Sequence, residues 1–277
     1  MNLSLSKAFK ARRSALFVPA VNPRALEKAR GLAADVIILD LEDAVAPQEK
    51  DAARDRATKA ARDYAPRETV IRVNAAGTAW HAADMAAAAR SGASAILLPK
   101  IRDAGEVAAA RLAANGMPLW AMIETPRGLL NATAIADSGI ECLVLGSNDM
   151  LHALEGRHRT DRANLWAAMS LIVLAARAAG IAVLDGVHND LDAATDFEAA
   201  CVLARDFGFD GKSLIHPSQI APANSAFSPS PEEVTYARRV LDAFVREPGK
   251  GAITLDRRML EALDADIAAR TLARAGL

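Results

Sequence analysis

Eight short apolar runs, all but the first with polar or charged residues at or close to their C-terminal ends, constrain this chain more than any other feature. They occupy residues 15–19, 36–41, 70–74, 95–99, 119–124, 142–146, 182–186 and 212–215. Between them lie Ala-rich stretches with helical spacing, among them residues 23–33, 48–64, 80–91, 104–114 and 192–207. Alternation of this kind signals repeated βα units around a parallel sheet, and eight units predict closure into an α/β (β/α)8 TIM barrel. The runs are apolar almost throughout rather than alternating, as strands are when helices cover one face and a packed interior the other. With 277 residues, 52% of them hydrophobic, the chain has the material for one such core.

The polar residues gather at the C-terminal ends of the runs: Asp40, Glu42 and Asp43 after the second, Arg72 and Asn74 in the third, Lys100 after the fourth and Glu124 after the fifth. Asn148 and Asp149 follow the sixth, Asp185 and His188 the seventh, and His216 the eighth. In a (β/α)8 barrel these ends surround one mouth, where active sites are built, so the residues are expected to converge. The opposite ends carry mostly small or helix-closing residues such as Gly92, Ala93, Gly180 and Gly208.

Several function classes are weakened by what the sequence lacks. A formal net charge of -1 gives no footprint for nucleic acid, although the pairs Arg12–Arg13 and Arg257–Arg258 offer themselves either as solvated surface charge or to a phosphate. There is no Gly-x-Gly-x-x-Gly after the first run, no phosphate loop and no Gly-x-Ser-x-Gly elbow. No apolar stretch approaches a membrane span, and residues 1–13 lack the pattern of a secretory signal. Cys142 and Cys201 are expected as buried reduced thiols, consistent with a cytoplasmic protein.

Glu124 and Asp149, at the ends of adjacent strands, offer the few hard oxygen ligands that Mg2+ uses while keeping open positions. Zinc is disfavoured, since no His or Cys cluster is present. Arg72 supplies a fixed positive charge to a carboxylate or an enolate oxygen, or else a salt bridge to Asp40, Glu42 or Asp43. Lys100 leaves open a Schiff-base aldolase that needs no metal.

Seven motifs in order then carry a family resemblance: Arg13-Ser-Ala-Leu-Phe-Val-Pro19, Leu39-Asp-Leu-Glu-Asp-Ala-Val45, Ile71-Arg-Val-Asn74, Leu98-Pro-Lys100, Ile123-Glu-Thr125, Asn148-Asp149 and Gly208-Phe-Asp-Gly-Lys-Ser-Leu-Ile-His-Pro217. They resemble the citrate lyase β-subunit-like family of the HpcH/HpaI aldolase superfamily, related to malyl-CoA and citramalyl-CoA lyases and, more distantly, malate synthase. The resemblance implies a Mg2+-dependent carbon–carbon lyase, a trimer or multiple of trimers, that splits a citryl-, malyl- or citramalyl-CoA-like 3-hydroxyacyl-CoA into acetyl-CoA and an oxo acid. By the same resemblance Glu124 and Asp149 hold the metal, and Arg72 grips substrate and stabilises the thioester enolate. Phe17, Arg24, Lys28 and His216 contact the thioester or CoA.

In the family an Asp of the C-terminal tail reaches a neighbouring subunit's site as acid or base; Glu261 stands in its place here, with Arg257 where a glycine is usual. The usual Gly-x-Glu-Asp around the second metal ligand reads Gly146-Ser-Asn-Asp149. The domains expected are a barrel over residues 13–246 and an extension over 247–277 that contacts a neighbouring subunit. Within the first, Ser230, Pro231 and Glu233 start a helix, with a capping box, that completes the barrel wall. Two alternatives accompany the lyase: a divalent-metal oxo-acid aldolase without CoA, and a catalytically degenerate thioester-binding subunit.

Overall fold

A computed structural model describes residues 10–277, so most of the stretch read above for a secretory signal lies outside the described residues. Contacts divide the chain into two compact units, one spanning Arg12–Phe227 and the other containing Ser228–Leu277.

The first unit is a closed parallel barrel of β1 (Ser14–Pro19), β2 (Val36–Asp40), β3 (Glu68–Arg72), β4 (Ala95–Leu98), β5 (Leu119–Ile123), β6 (Cys142–Leu145), β7 (Ala182–Asp185) and β8 (Gly211–Leu214). β8 closes on β1 with Lys212 opposite Ser14 and Leu214 opposite Leu16. The connecting helices are α1 (Pro23–Ala29), α2 (Lys50–Asp63), α3 (His81–Ala88), α4 (Ala104–Ala114), α5 (Pro126–Leu130), α6 (Ala132–Asp137), α7 (Ser147–Ala153), α8 (Trp166–Ala179), α9 (Ala194–Phe207) and α10 (Ile220–Phe227). All eight expected strands are present. The eighth begins and ends one residue earlier than expected, and the third is displaced two residues toward the N-terminus, because the polar Glu68 and Thr69 that begin it are buried and satisfied rather than solvated.

The strand period of two sorts each run into two cores. Ala15, Val36, Ile38, Val70, Trp120, Met122, Val144 and Leu184 fill the barrel interior, while Leu16, Ile37, Leu39, Ile71, Ile123 and Val183 face the helices. Burying each large aliphatic side chain contributes roughly 1.5–3 kcal/mol, which fixes the register: a slip by one residue would exchange the two faces. Capping sets where several helices begin. Asp103 accepts from the Glu106 amide ahead of α4, and Thr125 accepts from the Gly128 amide with Pro126 at the first turn of α5. Gly208 closes α9 at φ 98, a left-handed conformation that glycine adopts without steric cost.

The wall after β8 is supplied by α10, whose Ile220, Ala223 and Phe227 join the helix-facing core. The helix expected for that role, α11 (Pro231–Arg246), does carry the Ser230–Glu233 capping box. Its buried face, however, packs with a different set, because Ala237 and Val240 share a small core with Ile253, Leu260 and Ala268. That second unit also holds a hairpin of β9 (Ala252–Leu255) and β10 (Arg258–Glu261), followed by α12 (Ala262–Arg274). Asp256 and Arg257 both have positive φ, the tight turn that matches a hairpin's twist.

Candidate active site

Alternation along the strands determines which rim residues look inward. Counting by two from the interior residues Ala15, Ile38, Val70 and Met122 arrives at Phe17, Asp40, Arg72 and Glu124, and these meet at the C-terminal mouth. Asp40 and Arg72 are partners in the β2–β3 register. Arg72 Nε and Nη2 donate to Asp40 Oδ1 and Oδ2 at 2.7 and 2.8 Å, a bidentate pair that is buried on both sides. The Phe17 ring lies against the same guanidinium, 4.8 Å from centroid to Cζ. The third nitrogen, Nη1, lies 3.0 Å from Glu42 Oε2 and 3.5 Å from Asp43 Oδ2. The salt bridge and the substrate-gripping role left open above are therefore compatible, since Asp40 fixes two nitrogens and leaves the third at the site.

Lys100 completes the charged rim in two ways. Its backbone is left-handed at φ 53, unusual for a side chain of that kind, and the turn directs its amide to Glu124 Oε1 at 2.6 Å. Its Nζ donates to Glu42 Oε1 at 2.8 Å and Asp43 Oδ1 at 3.3 Å. Burial lowers the pKa of this amine, but the two carboxylates outweigh it and hold the ammonium above its ordinary value. A Schiff-base nucleophile needs the opposite shift, so this environment argues against that chemistry.

Glu124 is the anomalous group. Thr125 and Pro126 start α5 immediately after it, which ends the strand and leaves the carboxylate at the mouth. It is 1% exposed, and its Oε2 has no hydrogen-bond partner. Burial pushes its pKa up to about 8, and the neighbouring charges of Glu42 and Asp149 add to the shift against the opposing Arg72. Asp149 lies in the first turn of α7, directly after β6. Gly146, between them, is required by close approach: a Cβ there would sit 2.3 Å from Glu124 Cβ and 2.4 Å from Oε2.

The pocket thus holds carboxylates from three chain segments against two cations, and two buried carboxylate oxygens, Oε2 of Glu42 and Oε2 of Glu124, have no hydrogen-bond partner, the former only an ion pair with Arg72. A divalent cation fits that set, because it would neutralise the excess charge and occupy the orphaned lone pairs. Among the described residues no group of three or more His, Cys, Asp or Glu forms a metal cage. Glu124 with Asp149 matches instead the sparse oxygen set of an ion that retains water and substrate ligands.

Other expected residues stand elsewhere. Arg24 and Lys28 are exposed on α1, whose first turn follows β1. His216 is exposed after β8 and caps a short turn, its Nδ1 accepting from the Ser218 amide at 3.2 Å. Glu261 is exposed at the start of α12, in the second unit, where its amide donates to Asp264 Oδ2 at 2.7 Å. Asp185 does not join the mouth as expected. It falls on the helix-facing side with Val183, fully buried between Arg162, which donates twice at 2.7 and 2.6 Å, and Lys212 at 2.5 Å. Because neighbouring Val183 and Leu184 are both apolar, the sequence held no clue to its direction.

The opposite end of the barrel is also more charged than expected. Arg12 donates to Glu68 at 2.9 and 2.7 Å under the barrel and lies 4.6 Å from the Trp120 ring centroid, while Arg13 pairs with Asp35. Both arginines are thus engaged by carboxylates, Arg12 buried and Arg13 half-buried. Both cysteines are buried and unpaired, and burial raises the Cys201 thiol to about 12.

A closed barrel with a carboxylate–guanidinium cluster at its C-terminal mouth defines the class as a (β/α)8-barrel enzyme. The HpcH/HpaI aldolase/citrate lyase model matches residues 13–217, and the chain belongs to that family of carbon–carbon lyases. It is 45% identical over 268 residues to a (3S)-malyl-CoA thioesterase of Cereibacter sphaeroides strain KD131, covering 95% of this chain and 94% of the relative. It is 34% identical over 283 residues to the citrate lyase subunit beta of Escherichia coli K12, covering 96% and 94%. Among solved structures, CitE from Mycobacterium tuberculosis in complex with magnesium, acetoacetate and coenzyme A superposes with a TM-score of 0.80 at 36% identity, covering 95% of this chain and 98% of that one.

Proposed function

We propose that this chain is a Mg2+-dependent lyase acting on the CoA thioester of a 3-hydroxy diacid of the malyl-CoA kind. The observation that carries the reading is the pairing, at one mouth, of a guanidinium pinned by Asp40 with the buried, partnerless oxygen of Glu124. Magnesium in the CitE complex and the malyl-CoA relatives support it from outside the chain.

In this reading Glu124 and Asp149 hold Mg2+, which when bound supplies Lewis acidity and orients the oxygens of the hydroxy acid. The bond between the carbinol carbon and the carbon next to the thioester breaks as the hydroxyl loses its proton. The electron pair passes to the thioester carbonyl as an enolate, and the enolate carbon then takes a proton to give acetyl-CoA, with an oxo acid as the other product. Arg72 stabilises the enolate charge; Asp40 and Phe17 keep its guanidinium in place so that little reorganisation is needed. Phe17, Arg24, Lys28 and His216 contact the thioester or CoA. Glu261 reaches a neighbouring protomer's site as acid or base within a trimer or multiple of trimers, and the cytoplasm is the compartment.

A second reading is thioester hydrolysis of the same substrate, favoured by the higher identity to the malyl-CoA thioesterase, 45% against 34% for the citrate lyase subunit. Purified enzyme with Mg2+ and a panel of malyl-, citramalyl- and citryl-CoA separates the two. Acetyl-CoA with a matching oxo acid supports the lyase, whereas free CoA with intact hydroxy acid establishes the hydrolase. Turnover of none of the three thioesters, or turnover only of a free hydroxy-oxo acid, refutes both.

A further inference from the structure

Behind the acidic rim lies a buried lysine that the reaction above does not use. Lys50, in the first turn of α2, is 6% exposed and sends its three N–H groups to the Leu41 carbonyl at 2.8 Å, the Glu42 carbonyl at 2.7 Å and Asn74 Oδ1 at 2.6 Å. The two carbonyls belong to the loop that leaves β2, and Asn74 follows β3 two residues after Arg72. Asn74 is itself anchored: its amide and Nδ2 donate to Asp84 Oδ2 at 3.0 and 2.6 Å, and Arg54 Nε donates to Asp84 Oδ1 at 2.7 Å. One ammonium therefore joins the segments that carry Glu42 and Arg72, the two side chains that face each other across 3.0 Å at the site.

We propose that Lys50 is a positioning residue for the reaction, a clamp whose three hydrogen bonds fix Glu42 against Arg72 from behind. A lysine is suited to this because its ammonium aims three donors from a single nitrogen at acceptors gathered around one point, where a guanidinium spreads its donors in a plane. An apolar replacement takes the ammonium from the Leu41 carbonyl and Asn74 Oδ1, leaves the Glu42 carbonyl only its bond from the Val45 amide, and loosens the loop, while Arg72 keeps its bonds to Asp40. The expected consequence is a misplaced but intact charge pair, and a shift of about 1 Å can lower turnover roughly 100-fold.

The inference rests on the function proposed above, and steady-state kinetics on whichever thioester is turned over tests both. Lys50→Met is expected to fold and to lose tenfold or more in kcat, roughly, with KM within about threefold. Asn74→Ala, which spares both carbonyl bonds, should lose less, and the double variant should lose no more than Lys50→Met alone, as members of one clamp do. Should Lys50→Met fail to fold, Asn74→Ala carries the test. Wild-type kcat in the folded variant, or a deficit that vanishes when assayed well below its melting temperature, overturns the clamp. Arg72→Gln is the control: if it too retains wild-type turnover, the proposed function itself falls and the clamp with it.

Discussion

Glu124 is the residue on which the site turns, because a carboxyl buried beside two others is ionised at neutral pH only with help. Its folded pKa of about 8 lies above the ordinary 4.5. The unfolded chain therefore gives up this proton first, and as pH rises from about 4.5 to about 8 the cation-free protein loses the stability that the protonated form provides. A divalent ion must displace that proton. Mg2+ uptake is accordingly expected to release a proton and to tighten by up to about tenfold per pH unit below the folded pKa, levelling above it. Calorimetry in buffers of different ionisation enthalpy would measure this directly. Uptake without proton release at neutral pH would contradict the assignment of Glu124 as a ligand.

The elements that matter most to the site are those where one ends and the next begins without a linker. β5 passes through Thr125 into α5, and β6 passes through Gly146 into α7, so Glu124 and Asp149 are set by a helix cap and a glycine rather than by mobile loops. Gly146→Ala is a sharp probe of that arrangement, since its new Cβ meets Glu124 at well under contact distance. Overpacking at this junction should destabilise by about 1–3 kcal/mol and displace the carboxylate, so that Mg2+ affinity falls by more than thermal stability alone accounts for. Mg2+ titration followed calorimetrically on the folded variant checks this, and unchanged affinity would mean that Glu124 is not held where the site requires it.

At the scale of the barrel, integrity depends on charges that no reaction uses. Asp185, Arg162 and Lys212 link β7, β8 and the segment before α8 in a fully buried cluster. Burial would raise the Asp185 pKa, but Lys212 and Arg162 outweigh it and hold it at about 2, below the ordinary 3.8. Its contribution is thus present above about pH 3.8 and is lost as pH falls toward about 2. Asp185→Asn, which leaves two buried cations without their counter-charge, should lower unfolding free energy by roughly 3–5 kcal/mol and flatten the acid limb of the stability profile. Urea denaturation across acidic pH would show it, and a neutral effect would assign the cluster to orientation rather than stability.

The sequence by itself determined the barrel, because eight apolar runs of strand length separated by helical spacing have few other ways to bury their surface. It also determined the rim residues Arg72, Glu124 and Asp149, whose place in or just after the end of a strand follows from chain order alone, and the Ser230 cap, whose bonds span three residues. Only the tertiary structure decided what depends on partners distant in sequence: that Arg72 is gripped by Asp40, that Lys50 reaches under Glu42 to Asn74, and that Arg12 and Glu68 meet beneath the barrel. It also decided that Asp185 turns outward and that α11 joins the tail's core, since runs apolar on both faces carry no mark of which side a terminal carboxylate takes. Local patterns record hydrophobic period and capping; the pairing of buried charges is a long-range choice that appears only once the chain has closed.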